Sequence, residues 1–134
     1  DHVMTNPPFT APGAGTPPAT GTRRAAHLAE ADLEAWIGAC LARLRPRGRL
    51  TLIHRADRLD AILAALHSAA GAVVVCPLWP RDGVAARRVI VGARKGVRTP
   101  LRLLPGLVLH ERGGGFTSAA GAILREGAPL PLHP

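Results

Sequence analysis

Two kinds of apolar spacing alternate along this chain, one typical of helices and one typical of strands. From Leu33 onward, apolar residues recur at every third or fourth position, which predicts a helix over residues 32–44 with Asp32 as its N-terminal cap. Because Trp36 lies within this apolar face, it is predicted to belong to the core. A second helix with the same spacing is predicted over residues 57–69.

Runs of apolar and β-branched residues separate and follow these helices. They predict strands over residues 49–54, 72–78 and 87–93. Gly71 is expected to end the second helix before the run at 72–78. The first residues, up to Met4, suit the end of a buried strand. Helices that alternate with apolar strands indicate the α/β class.

Length and charge narrow the classes of partner. The chain has 134 residues, which suits one domain or a part of one. Its formal charge of +8 and pI of about 11.5 favour phosphate backbones or anionic surfaces. An arginine-rich proteome with ordinary solvated arginines would give the same balance.

The positions of the cysteines and the hydropathy of the chain argue against a metal site and against a membrane partner. Cys40 and Cys76 lie far apart among apolar residues, so both are expected to be small buried hydrophobes, and no metal site is predicted. The sequence has no signal peptide and no apolar run of transmembrane length. No membrane partner is therefore expected, and the cytoplasm is the expected location.

The stretch Asn6-Pro7-Pro8-Phe9 carries the strongest candidate chemistry. Two prolines remove two backbone donors and fix two φ angles, so neither a strand nor a helix continues through them. The result is a stiff, extended turn with an amide at one end and an aromatic ring at the other. Such a turn can hold a flat polar ring, because the amide oxygen and a proline carbonyl accept hydrogen bonds while the aromatic ring stacks.

This turn resembles the (D/N/S)-P-P-(Y/F/W) signature of amino-group methyltransferases that use S-adenosylmethionine. The resemblance continues in order along most of the chain. The chain resembles the C-terminal part of the tRNA(Val) adenine-N6 methyltransferase-like group, within the methyltransferase small-domain family. The segments that carry it after the turn are Leu44-Arg45-Pro46-Arg47-Gly48-Arg49-Leu50, Ile53-His54-Arg55, Arg88-Val89-Ile90-Val91-Gly92-Ala93-Arg94-Lys95-Gly96, Val108-Leu109-His110-Glu111 and Phe116-Thr117.

The resemblance implies the C-terminal half of a Rossmann-like methyltransferase sheet with flanking helices. Of the family's strand order 3-2-1-4-5-7-6, this chain would supply 4-5-7-6, with the last strand antiparallel. Residues 1–96 would be the C-terminal part of the methyltransferase domain, and residues 97–134 an extension of it with a short helix that ends near Arg125. The family has a Lys/Arg-Pro-Gly-Gly turn, whose second glycine position is interpreted here as Arg49.

The resemblance further implies N6-methylation of adenine in RNA, with tRNA as the favoured class and S-adenosylmethionine as the cofactor. Asn6, Pro7, Pro8 and Phe9 would be the catalytic residues, and Asn6 would also contact the cofactor. Asn6 and the Pro7 carbonyl would accept hydrogens from the exocyclic amine of a flipped adenine. Phe9 would stack on the base, an interaction of about 1–3 kcal/mol.

Basic residues in both halves of the chain are candidate RNA contacts. Arg23, Arg24 and His27 follow a loop rich in proline, glycine and threonine, and a solvated helix start is the alternative interpretation of these three. Arg81 and Arg88 belong to a dense basic set, of which at most half can act together because side chains alternate along a strand. The set comprises Arg81, Arg87, Arg88, Arg94, Lys95, Arg98 and Arg102.

The donor half of the site is expected to be missing. The Gly-rich turn and the acidic residue that hold the cofactor in the resembled family are not in this sequence, and Asp1 begins within a strand pattern. We therefore expect an absent N-terminal portion and weak or no binding of S-adenosylmethionine by the isolated chain. Its first strand would be an exposed apolar edge that promotes self-association.

Three alternatives stay open. NPP(F/Y) turns also serve methylation of DNA adenine and of protein glutamine, although the basic balance favours nucleic acid. The chain could instead be a non-catalytic, basic RNA-binding or interaction module. The turn itself could be an ordinary loop.

Overall fold

The computed structural model describes residues 1–7 and 22–132, with side chains for residues 1–7 and 32–132. Strands and helices alternate along these ranges, which confirms the predicted α/β class. In chain order they are β1 (His2–Thr5), α1 (Thr22–Arg43), β2 (Arg49–Arg55), α2 (Leu59–Leu66), β3 (Ala70–Trp79), β4 (Arg88–Lys95), β5 (Arg102–Leu103), β6 (Leu107–Val108) and α3 (Ser118–Glu126), with a 3₁₀ turn over Ala56–Arg58 before α2.

All of these strands form one sheet in the order β1-β2-β4-β3-β5, and β6 also pairs with β3. β1 is parallel to β2, whereas β4 is antiparallel to both β2 and β3. β5 and β6 run parallel to β3. The first four strands therefore have the expected 4-5-7-6 order with an antiparallel last strand, and the predicted fold class is confirmed.

The core lies between α1, α2 and one face of the sheet. Residues at helical spacing pack against alternate residues of the central strands, as the apolar pattern predicts. Burial of each large side chain contributes about 1.5–3 kcal/mol, so this layer is a main source of stability. Fully buried members include Ile37, Ile62 and Leu66 from the helices, and Leu50, Leu52, Val75 and Val91 from the strands.

β1 does not end as a buried strand. Val3 is half-buried against the core, but Met4 points to the opposite side of the sheet and is 76% exposed. Within residues 1–7 and 22–132, no strand pairs with the outer edge of β1, because β1 stands at one end of the sheet order.

α1 begins ten residues earlier than predicted, at Thr22 instead of Asp32, so the predicted cap at Asp32 is wrong. The added residues include several alanines and arginines, which are strong helix formers and extend the helix beyond its apolar stripe. The prediction that Trp36 is a core residue is also wrong. Its side chain is 42% exposed, because it lies at the border of the stripe and the neighbouring Leu33 and Ile37 fill the core.

The turn between α1 and β2 places its strain at Arg47. Arg47 has a φ of 67°, a conformation that favours glycine, so the glycine-like position is Arg47 and the interpretation of Arg49 as that position is wrong. A Cβ on Gly48 would lie 2.9 Å from the Arg45 carbonyl oxygen. The end of β4 fixes the turn. The Arg47 amide donates to the Lys95 carbonyl at 3.0 Å, and Arg94 Nε donates to the Arg47 carbonyl at 3.2 Å.

Gly71 is a strand residue and does not end α2, which stops at Leu66. A Cβ on Gly71 would lie 2.1 Å from the Val97 carbonyl oxygen. The close approach of the backbone after β4 therefore explains this glycine, and the sequence pattern did not distinguish it from a helix cap.

Residues 97–132 contribute β5 and β6, which pair with β3, and then form α3. Thr117 caps α3, since its hydroxyl oxygen accepts from the Ala120 amide at 3.1 Å, and Gly127 closes the helix in the left-handed region. The predicted short helix near Arg125 is confirmed. The division into residues 1–96 and 97–134 stays a prediction. Among the described residues, no helix is long and apolar enough to cross a membrane.

Candidate active site at the carboxyl ends of the parallel strands

The sheet topology brings the carboxyl ends of β1, β2, β3 and β6 to one edge, which we call the carboxyl edge. β4 runs the other way, so its first residue, Arg88, lies at this edge as well. In open α/β sheets, ligands bind outside the carboxyl ends of the strands, where loops and backbone groups converge. The carboxyl edge is therefore the candidate site.

Asn6 and Pro7 follow β1 directly at this edge. Asn6 is exposed, whereas Pro7 is fully buried. The buried ring anchors the backbone and leaves the amide side chain of Asn6 open to solvent. Pro8 and Phe9 lie outside the described residues, so their predicted roles stay predictions.

The sequence pattern missed the side chain that supports this turn. Trp36 Nε1 of α1 donates a hydrogen bond of 2.8 Å to Thr5 Oγ1, at the last residue of β1. This bond ties the strand end to the helix one residue before Asn6. The sequence indicates this bond only through a hydroxyl residue, Thr5, before the predicted NPPF turn, and that residue does not reveal which side chain binds it.

The end of β2 carries a buried histidine and an exposed ion pair. His54 is 5% exposed, and burial, followed by the nearby Arg58 guanidinium, lowers the pKa of this imidazole from 6.5. Arg55 contacts Asp57 through Nε and Nη2, and the hydrogen bond from Arg55 lowers the pKa of the Asp57 carboxyl. His54 is thus favoured in its neutral form, and Asp57 is held as a carboxylate.

The predicted basic residues divide between two edges of the sheet. Arg81 follows β3 and Arg88 opens β4, so both lie at the carboxyl edge with Arg55, which the sequence pattern did not single out. Arg94 and Lys95 end β4 at the opposite edge. Arg23, Arg24 and His27 belong to the first turns of α1, but their side chains lie outside the description.

The residues at the carboxyl edge fit one side of a cofactor site. Asn6 presents an exposed amide there, which suits a polar contact to S-adenosylmethionine or to an amine. The sequence contains no Gly-rich phosphate or ribose turn, and β1 forms one border of the described sheet. Asn6 is the residue that the resemblance assigns to the cofactor, and this role stays a prediction.

Comparisons with known proteins support the fold. No protein-family model and no curated protein matches this chain. The chain is similar to the crystal structure of a predicted O-methyltransferase, protein Atu636 from Agrobacterium tumefaciens, with 28% sequence identity and a TM-score of 0.75. The match covers 96% of this chain and 52% of that one, so the chain spans about half the length of the solved structure.

This similarity supports a methyltransferase-like fold. It does not address adenine as the acceptor, the NPPF motif or the tRNA(Val) adenine-N6 group, all of which stay predictions.

Proposed function

We propose that this chain forms the acceptor half of an S-adenosylmethionine-dependent methyltransferase that methylates N6 of adenine in RNA, with tRNA as the favoured class. The position of Asn6 and Pro7 carries the proposal. They follow a parallel strand at its carboxyl end, with the proline buried and the amide open. The similarity to a methyltransferase structure and the arginines at the same edge support it.

The chain's residues would act mainly by orientation. The Asn6 side-chain oxygen and the Pro7 carbonyl accept hydrogens from the amine, which fixes its direction and leaves its lone pair available. Pro8 stiffens the turn, and Phe9 stacks on the base. S-adenosylmethionine, when bound, supplies a methyl group activated on a sulfonium. Alignment and exclusion of water suffice for such a transfer, so the chain needs no strong general base.

The test is methyl transfer to RNA by a polypeptide that contains both this chain and the Gly-rich half of the site. Asn6→Ala is expected to lower kcat by about 100-fold or more, as expected for the loss of one positioned polar contact, while RNA affinity is retained. Asn6→Asp keeps an oxygen acceptor and a residue that the signature allows, so it should retain part of the activity. Mass spectrometry of digested RNA should find N6-methyladenosine. Unchanged methylation by the Asn6→Ala variant would refute the assignment.

An oxygen acceptor is the second candidate, because the similar solved structure is described as a predicted O-methyltransferase. The products separate the two candidates. A methylated oxygen in the RNA digest or on a small molecule, with no methylated amine, would replace N6-adenine by an O-methyl acceptor.

The same assay separates the alternatives that the sequence left open. Methylated DNA adenine or protein glutamine would change the substrate and keep the roles of Asn6 and Pro7. RNA binding without any methylation, in a polypeptide with both halves, would favour a non-catalytic module.

A further inference from the structure

Two arginines face each other at the carboxyl edge. The antiparallel register of β2 and β4 pairs Arg55 directly with Arg88, and both side chains are exposed. Directly opposed residues share one face of the sheet with their Cβ atoms about 5 Å apart. Like charges at that distance repel each other, and although Asp57 offsets part of the charge of Arg55, an anion between the two guanidiniums would relieve this repulsion.

The surrounding contacts orient the Arg55 guanidinium and fix the backbone beside Arg88, which favours binding of an anion. Asp57 engages Nε and one terminal nitrogen of Arg55, which orients the guanidinium and leaves about three of its five N–H donors for another acceptor. The Ala56 amide donates to the Arg87 carbonyl at 2.9 Å and fixes the backbone beside Arg88. Among the side chains of residues 1–7 and 32–132, Arg88 makes no ion pair or side-chain hydrogen bond.

The local charge balance is positive. Asp57 faces the guanidiniums of Arg55 and Arg58, and Arg87 and Arg88 follow on the neighbouring strand. The Arg58 guanidinium contributes to lowering the pKa of both Asp57 and His54. Arg55, Arg87 and Arg88 are all exposed here, and the Asp57 carboxylate contacts Arg55.

The pair is also close to the candidate acceptor site. Thr5 pairs with Leu52, so Asn6 is level with Ile53, and Arg55 is two residues further along the adjacent strand. Strand geometry converts this offset into about 7 Å along the strand and about 5 Å across it. A phosphate next to a base held by Asn6 lies within reach of two arginine side chains at that separation.

We propose that Arg55 and Arg88 form a subsite for a backbone phosphate of a single-stranded nucleic acid, next to the nucleotide whose amine Asn6 holds. This subsite rests on the proposed function, because a backbone phosphate is present only if the methylated amine belongs to a nucleotide within a nucleic acid and not to a protein glutamine. Planar guanidiniums suit phosphate oxygens because each offers two parallel N–H donors.

The test is binding of a dye-labelled single-stranded RNA of about ten nucleotides to this chain, followed by fluorescence anisotropy over a range of salt concentrations. Each phosphate contact on a single strand adds about 0.7 to the slope of log affinity against log salt. Arg88→Gln is expected to reduce the slope by about 0.7, Arg55→Gln by a similar amount, and the double variant by about 1.4. Arg88→Lys keeps the charge and should retain the slope.

Arg49 offers a matched control. It is an exposed arginine of β2 that is paired directly with Arg94 of β4, at the opposite end of the same two strands. Arg49→Gln should leave the slope unchanged. Because the opposed arginines repel each other, Arg88→Gln should also raise the melting temperature of the free chain at low salt, and this gain should shrink as salt screens the charges.

The outcomes separate this subsite from the proposed function. Equal slopes for the wild type, Arg88→Gln and Arg49→Gln would overturn the subsite, even if methylation of another amine were observed. A slope that depends on Arg55 and Arg88, in a protein that never methylates RNA, would keep the subsite and remove the N6-adenine reaction. Equal slopes with RNA and DNA of the same sequence would keep the phosphate contact, since it does not involve the sugar.

Discussion

The hydrogen bond from Trp36 to Thr5 should stabilise the chain by about 1 kcal/mol, although both residues lie at the surface. Trp36→Phe removes the indole N–H and keeps an aromatic ring, whereas Thr5→Val removes the acceptor and keeps the branched shape. The 2.8 Å distance is that of a well-formed bond. The net contribution of a hydrogen bond to the unfolding free energy is about 0.5–1.5 kcal/mol. Because Trp36 is exposed, we expect a value within this range and not above it.

A double-mutant cycle isolates this bond from the other effects of each substitution. Urea unfolding followed by far-UV circular dichroism gives the unfolding free energy of the wild type, both single variants and the double variant. The double variant should be less destabilised than the sum of the two singles by about 1 kcal/mol. Amide exchange at residues 3–6 should also become faster in each single variant, because this bond holds the strand end before Asn6.

Trp79→Phe provides the matched control. Trp79 Nε1 donates to the Pro105 carbonyl at 2.9 Å, so this substitution removes an indole N–H that does not contact Thr5. Combined with Thr5→Val, its effect should be additive within about 0.3–0.5 kcal/mol. A coupling below about 0.3 kcal/mol between Trp36 and Thr5, or an equal coupling in the Trp79 cycle, would refute the assignment of this bond as the anchor of β1.

Three further predictions follow from the structure. Arg47→Gly should raise the unfolding free energy, measured by urea unfolding, by about 0.5–1 kcal/mol. Glycine adopts a φ of 67° without the strain that arginine has there, and this gain exceeds the loss from the greater backbone entropy of glycine in the unfolded chain. Gly48→Ala should lower the unfolding free energy, since its Cβ would lie 2.9 Å from a carbonyl oxygen, and the same sign for both variants would contradict this account. The unfolded chain takes up the His54 proton near pH 6.5 and the folded chain only at lower pH, so stability contributed by neutral His54 is present above pH 6.5 and lost as the pH falls through the folded pKa. The unfolding free energy, measured by urea unfolding from pH 8 to 5, should therefore depend less on pH in His54→Gln than in the wild type. A substitution at the exposed His67 should keep the wild-type dependence. An equal pH dependence in His54→Gln and the wild type would argue against burial as the cause. Self-association through the open edge of β1 should appear as a larger mass in light scattering, and Met4→Lys should reduce it because a charged edge resists pairing; a wild type that stays monomeric at high concentration would contradict this prediction.

The NPPF turn is a prediction from the sequence, whereas the hydrogen bond that holds the end of β1 before it could not be predicted. Two successive prolines restrict the backbone locally, so a stiff turn at Asn6 follows from the residues alone. The Trp36 side chain that holds Thr5, at the end of β1, comes from 31 positions further along the chain. Trp36 fits the apolar stripe of α1 by spacing, and only the packing of Leu33 and Ile37 decides that Trp36 lies at the border.

Helices and central strands could also be predicted, because their apolar spacing is a property of consecutive residues. Their ends could not. Alanine and arginine extend α1 back to Thr22, ahead of the apolar stripe from which the helix was predicted. Gly71 has the sequence pattern of a helix cap, but glycine is needed there because the Val97 carbonyl oxygen leaves no room for a Cβ. Such ends depend on which backbone approaches from elsewhere, and that information is not local.

The sequence by itself determined the alternation of helices and strands and the surplus of positive charge, and it predicts a stiff turn at Asn6. The tertiary structure decided where these features meet. Parallel pairing of β1 with β2 puts Asn6 at the carboxyl edge, and antiparallel pairing of β2 with β4 puts Arg88 opposite Arg55. The physical reason is that chain order gives the residues of each strand, whereas strand direction and register decide which strand ends share an edge.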